Sequence, residues 1–297
     1  MEKFIIIEVG STTTKAYLYE TKEIKNLDRV TIEFKNHFKS KNELNEEDKK
    51  TLFDFVNSVK IKNTYVFGTS IFRNLNTEQR ISWLKEFKVN TDLDFNIVTA
   101  DMENELTVYG AIANVDYKGK IAIMIGGGGS TELSIVENGQ IIEKANSSFG
   151  AIDTTKMFPD LKEDYATSDY KHMIEETKKL VNVPKNKADL LIIAGGDYIY
   201  FYDELNYNLP KNKFYENPLQ PYCISIDCMD TFDKKFFYEL SLNEVCQRTN
   251  NAGWWNGARG MRLCVKSLCD FLGTKYVIPT RITMVYGLVE KIKKNEI

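Results

Sequence analysis

The chain has 297 residues, 43% of them hydrophobic and 27% charged, with a formal charge of −3. That length fits two domains better than one, and the slightly acidic balance leaves no footprint for duplex nucleic acid. No apolar run approaches the ~20 residues of a membrane-spanning helix, and the N-terminus enters a strand at once without a signal peptide, so a soluble cytoplasmic protein is expected. The five cysteines are not spaced C-x-x-C and there are only two histidines, which speaks against a zinc site and for reduced thiols.

From the N-terminus, an apolar run Phe4–Ile7 leads through Glu8-Val9-Gly10 into Ser11-Thr12-Thr13-Thr14 and an alternating second run. This predicts a hairpin. One glycine with four hydroxyl residues is a weak phosphate cradle by itself, because threonine runs are ordinary strand chemistry. A third strand is expected around 30–34, and the polar stretch 36–44 reads as a solvated loop. Asn45 followed by three acids starts a helix with Leu52, Phe55, Val56 and Val59 on one face. A strand at 64–67 ends in Gly68-Thr69-Ser70, with Arg73 one helical turn on. A helix at 77–88, a strand at 93–98 and a helix opening at 99–105 follow. Asp101, Glu103 and Glu105 crowd the start of that last helix. Acids there complement the helix dipole, or one of them points into a site; spacing alone leaves both readings open. The turn at 116–119 is the expected boundary of an N-terminal lobe, 1–116.

The second lobe, 117–280, opens on the most informative stretch. Ile121–Ile125 runs into four glycines, Gly126 to Gly129, then Ser130, Thr131, Glu132 and a second apolar run that ends at Asn138-Gly139. A tight turn needs one or two glycines, not four. Clustered glycines let a ligand approach the backbone, and successive N–H groups hold an anion. Ser147–Asp153 reads as a turn, 168–181 as a helix capped by Ser168, and 190–194 as a strand ending in Gly195-Gly196-Asp197. A loop-rich stretch at 206–230 holds three prolines. Helix 233–248, a Gly/Trp/Asn-rich turn at 250–257, helix 258–272 capped by Gly273, a strand at 275–278 and a helix at 284–295 complete the chain. The last helix, about 281–297, is expected to pack back on the first lobe. The aromatic cluster Tyr198, Tyr200, Phe201, Tyr202 and the pair Trp254-Trp255 read as packing first. Two hairpins of the same plan, about one domain apart, point to related α/β lobes with a phosphate clamped in the cleft between them.

These residues carry a family resemblance that covers nearly the whole chain. The sequence resembles the exopolyphosphatase / guanosine pentaphosphate phosphohydrolase (Ppx/GppA) family, built of two ribonuclease-H-like lobes on the actin-like ATPase plan. Gly127–Leu133 matches the second phosphate motif and is its most specific element. Glu8–Thr13 corresponds to the family's Asp-x-Gly-Ser-Asn-Ser, Gly68–Arg73 to its Thr-Ser-x-x-Arg segment, and Val98–Gly110 to its paired-glutamate segment. The departures are specific. Glu8 replaces an aspartate, Met102 replaces the first of the paired glutamates, Met124-Ile125 stands where the family has an aspartate before its glycines, and Met284–Gly287 replaces Leu-Arg-Glu-Gly. The sequence therefore resembles a short, divergent member.

The resemblance implies hydrolysis of a terminal phosphoanhydride, of polyphosphate or of a guanine nucleotide such as pppGpp. It implies phosphate contacts from Gly10, Ser11, Thr12, Thr13, Gly127, Gly128, Gly129, Ser130 and Thr131. Arg73 would stabilise phosphoryl charge, Glu103 would act as the base toward water, and Glu132, with Glu8 the second candidate, would hold Mg²⁺. A homodimer would suit a long polyanion. Two alternatives stand beside this one: an ATP-binding kinase or activator-type ATPase, since Gly10–Lys15 also resembles the phosphate loop of dehydratase activators, or a protein that binds its polyphosphate or nucleotide without turning it over.

Overall fold

The computed structural model describes residues 3–41 and 43–297. The elements are, in order, β1 (Lys3–Val9), β2 (Thr13–Glu20), β3 (Glu23–Thr31), α1 (Phe34–Lys41), α2 (Glu46–Val59), β4 (Thr64–Gly68), α3 (Thr77–Thr91), β5 (Phe95–Ile97) and α4 (Ala100–Ile112). Then come β6 (Ile121–Gly126), β7 (Thr131–Glu137), β8 (Gln140–Lys144), α5 (Ala151–Met157), α6 (Tyr170–Lys178), β9 (Leu190–Ala194) and α7 (Asp197–Glu204). The last elements are β10 (Ile224–Ser225), α8 (Ile226–Tyr238), α9 (Leu242–Thr249), α10 (Ala252–Leu272), β11 (Tyr276–Pro279) and α11 (Met284–Lys293). They form two compact units: the chain up to Leu106 with Met284–Ile297, and Thr107–Thr283. The division falls inside α4 rather than at the turn 116–119. The end of that helix is tied to the 217–220 loop, where Gln220 Nε2 donates to Ala111 O at 2.6 Å and Asn217 Nδ2 donates to Ala113 O at 3.3 Å.

The first unit is a five-stranded sheet in the order β3-β2-β1-β4-β5. β1, β2 and β3 are antiparallel, and β4 and β5 run parallel to β1. Alternation along β1 sorts its side chains. Ile5, Ile7 and Val9 join Phe34, Phe38, Leu52, Val56, Trp83 and Phe87 in one core. Phe4 and Ile6 join Leu106, Val285 and Leu288 in the other, the face that α4 and α11 cover. Glu8 has the parity of Phe4 and Ile6, so the strand delivers its carboxylate to the α4 face.

The second unit repeats the plan. Its sheet runs β10-β11-β9-β6-β7-β8, with β7 antiparallel to both β6 and β8, and with β9 and β11 running parallel to β6. Asn138-Gly139 turns β7 into β8 with φ of 51° and 76°, the backbone a two-residue hairpin requires.

Several elements differ from expectation for local reasons. The third strand is Glu23–Thr31, not 30–34, because Thr21 and Lys22 make the turn at φ 53° and 66° without a glycine or asparagine to signal it. The stretch 36–44 is not all loop: Phe34 and Phe38, four apart, bury one side of α1. α6 is capped by Asp169, which accepts from His172 N, while Ser168 bonds Asp160 instead. The expected helix 233–248 is two helices, each with its own serine cap at Ser225 and Ser241. The Gly/Trp/Asn-rich stretch is the first part of α10, not a turn. Further along the helix, a Cβ on Gly260 would lie 2.4 Å from Ala151 O of α5, so glycine there lets the two helices approach. Tyr198, Phe201, Tyr202 and Trp255 are buried in the second core, as packing predicts.

Candidate active site

The two glycine-bearing turns share one geometry. In the first, Gly10 N–H donates to Thr13 O at 3.0 Å; in the second, Gly127 N–H donates to Ser130 O at 2.9 Å. The carbonyls of both turns are engaged by the chain that follows. Ser11 O accepts from Lys35 N at 2.9 Å and Thr12 O from Ile32 N at 3.1 Å. Gly127 O accepts from Ala151 N at 3.1 Å and Gly128 O from Ile152 N at 2.7 Å. Among the described residues, the N–H groups of Ser11, Thr12, Gly128 and Gly129 donate to no other group. Tied carbonyls and unengaged N–H groups make each turn an electropositive rim suited to an anion. None of Gly126–Gly129 has a positive φ, so the turn presents its N–H groups from ordinary backbone conformations. Thr131 is turned inward, its hydroxyl donating to Phe149 O at 2.9 Å, and so braces the turn from below.

In the first unit, Arg73 lies on a short 3₁₀ helix, Ser70–Asn74, just after β4. Glu103 lies in the first turns of α4, whose start Thr99 braces through Met102 N at 3.1 Å. Arg73 Nη2 meets Glu103 Oε2 at 2.6 Å. That contact separates Glu103 from Asp101 and Glu105, which spacing alone could not do. Glu8 stands nearby on β1, and Tyr17 Oη donates to its Oε2 at 3.2 Å. Burial raises the Glu8 carboxyl above its usual range; Lys15 and the Tyr17 hydroxyl lower it and Glu103 raises it again, with a net upward shift. A desolvated carboxylate with a second one close by suits a hard divalent cation, which needs only one or two carboxylates beside its waters. No set of three or more His, Cys, Asp or Glu is gathered for a metal among the described residues.

In the second unit, Glu132 is the second residue of β7, opposite Ile125 of β6. Met124, in the region of the family's aspartate, is fully buried in the core. An apolar cavity of about 190 Å³ lies beside the glycine turn, lined by residues that include Gly126, Gly128, Ile152, Tyr198, Trp254 and Met261. Sequence reasoning missed this cavity, in which Gly253, Trp254 and Gly257 of the stretch expected as a turn meet residues of four other segments. It also missed Tyr17, although the β1–β2 register, once the hairpin is drawn, sets Tyr17 diagonally across from Glu8.

Two sheets of one plan, each with a Gly/Ser/Thr turn after its first strand, define a two-lobed protein of the actin-like ATPase fold. A sequence profile of the Ppx/GppA phosphatase family matches residues 27–196, more than half of the chain, and the protein belongs to that family. Its fold is similar to the crystal structure of the type II variant of the Aquifex aeolicus Ppx/GppA phosphatase, with a TM-score of 0.76 at 15% identity, over 97% of this chain and 98% of that one. It is also similar to an exopolyphosphatase from Cytophaga hutchinsonii, with a TM-score of 0.71 at 14% identity, over 99% and 98% of the two chains. A search of curated protein sequences gives no significant match.

Proposed function

We propose that the protein is a phosphoanhydride hydrolase that removes the terminal phosphate of inorganic polyphosphate or of a guanosine pentaphosphate-type nucleotide. The observation that carries this reading is the pairing of Arg73 with Glu103 beside the desolvated Glu8. In the free protein Arg73 occupies the carboxylate of Glu103. A phosphoryl group is a better partner for a guanidinium, since it accepts two parallel hydrogen bonds. Substrate would therefore take over Arg73 and release Glu103 to orient a water and accept its proton. The N–H groups of Ser11, Thr12, Gly128 and Gly129 would donate to phosphate oxygens, with the rest of the Gly10–Thr13 and Gly127–Thr131 turns holding them in place. Glu8 in the first unit and Glu132 in the second are the carboxylates we propose for Mg²⁺. When bound, the ion would neutralise phosphate charge. Phosphoryl transfer depends mostly on positioning and charge neutralisation, so Met124 in place of an aspartate need not abolish it.

The apolar cavity favours a second reading, in which the ligand carries a ring beside its phosphates, as ATP does for a kinase or activator-type ATPase. The test is phosphate release from long-chain polyphosphate, pppGpp and ATP, with and without Mg²⁺. Release from polyphosphate or pppGpp supports the hydrolase and selects its substrate. Release from ATP alone supports the second reading. Binding without release from any of them identifies a protein that holds its ligand without turning it over.

A further inference from the structure

We infer that Tyr17 is the positioning residue for Glu8, fixing one carboxylate oxygen so that the other is presented to a divalent cation. The inference rests on the reading of Glu8 as a cation ligand. Its basis is the strand register. Ile6 pairs with Tyr17 and Glu8 with Lys15, so Tyr17 stands diagonally from Glu8 on the same face of the sheet. Diagonal neighbours on an antiparallel pair are within reach of a long aromatic side chain. The tyrosine hydroxyl donates to Glu8 Oε2 at 3.2 Å. The ring itself is held, half-buried against the cluster that contains Phe4, Ile6 and Met284.

A glutamate has one more rotatable bond than the aspartate of the family's first motif. Left alone, its carboxylate samples several orientations at the end of β1. A rigid donor that takes Oε2 removes that freedom and directs Oε1 elsewhere. Partners of this kind commonly account for 10–100-fold in metal affinity.

The experiment is a Mn²⁺ titration of the full chain, with free Mn²⁺ read by electron paramagnetic resonance, for wild type, Tyr17→Phe, Glu8→Gln and the double variant. Expected are a ~10–100-fold weaker Kd in Tyr17→Phe, at least as large a loss in Glu8→Gln, and no further loss in the double variant. Full affinity in Tyr17→Phe with a loss in Glu8→Gln overturns the inference and leaves Glu8 as the ligand. Additive losses overturn it too, because Tyr17 would then act apart from Glu8. Full affinity in Glu8→Gln overturns the reading of Glu8 itself. Thermal unfolding shows whether Tyr17→Phe folds. Should it not, Glu8→Asp provides the test, since the shorter carboxylate draws back from the hydroxyl: weaker Mn²⁺ binding is expected, and wild-type affinity overturns the inference.

Discussion

Gly287→Ala sets two known effects against each other, and the structure decides the sign. Gly287 lies inside α11, where alanine is favoured over glycine by ~1 kcal/mol on helix propensity alone. A Cβ at this position would sit 1.9 Å from Leu106 O, 2.6 Å from its carbonyl carbon and 2.8 Å from its Cα, all on α4. These are backbone atoms and no rotamer moves them aside. Carbon contacts are comfortable near ~3.5–4 Å, so α11 and α4 must part by about 1.5 Å. The interface between them holds Leu106, Met284, Val285, Leu288 and Val289, all buried. Forced separation of a packed core costs typically ~1–3 kcal/mol and sometimes more. The strain exceeds the propensity gain, and a net loss of about 2 kcal/mol is expected, read as a lower urea midpoint. The variant should also lose phosphate release, because α4 carries Glu103 and a ~1 Å displacement of a reacting group can cost ~10²-fold. A variant as stable as wild type, or more so, would refute the argument that glycine is there for the approach of two helices.

Glu103→Gln should lower phosphate release by ~10²–10⁴-fold while shifting stability by under ~1 kcal/mol, since the pair it breaks is partly exposed; unchanged turnover would remove Glu103 as the base. Asp233→Ala should cost ~3–5 kcal/mol in urea unfolding, because it strands the fully buried Arg262 guanidinium, which bonds Asp233 through Nε, and leaves the Tyr170 hydroxyl without its acceptor. A loss below ~1 kcal/mol would show that the tyrosines around Arg262 satisfy it alone. The hydrogen bond from His37 to Asp48, helped by the charges of Asp48, Glu33 and Glu47, raises the imidazole above its usual 6.5. Its stabilisation is then fully present below that value and is lost as pH rises through the higher folded value. The melting temperature of wild type should fall across that interval relative to His37→Gln, and parallel curves would refute the link.

What the sequence disclosed and what it hid divide along physical lines. The central strands β1, β4, β6, β9 and β11 announce themselves as short apolar runs because they are buried, whereas β3 has no buried residue and its polar sequence hides it. Asn45 before three acids and Gly273 after an amphipathic run are local signals, and the structure uses both as caps or stops. α1 was hidden because, among the side chains described, Phe34 and Phe38 alone are buried, so its composition reads as loop. α10 was hidden for the opposite reason. Gly253 and Gly257 near its start weaken a helix in isolation, yet the close approach of Gly260 to α5 and the long buried face beyond hold it together. The pairing of Arg73 with Glu103 is a contact between residues thirty apart, on elements that follow two different parallel strands. Nothing in the spacing of three acids could select the middle one; only the packing of α4 against the sheet does.

The two turns show why such a site can survive extensive sequence change. At 15% identity to the Aquifex aeolicus structure the fold is retained. Within this chain the turns Gly10–Thr13 and Gly127–Ser130 differ in glycine content yet close with the same hydrogen bond. The first engages its carbonyls through the segment leading into α1, the second through the start of α5. Their N–H groups owe nothing to side-chain identity. A cradle made of backbone tolerates substitution, whereas a carboxylate does not: where the family has aspartates, this chain has Glu8 and, before the glycines, Met124. Glu8 is reached by a tyrosine, and Met124 is sealed in the core. Loss of activity, if it is found, should therefore appear as weak cation binding at Glu8, with phosphate binding at the turns intact.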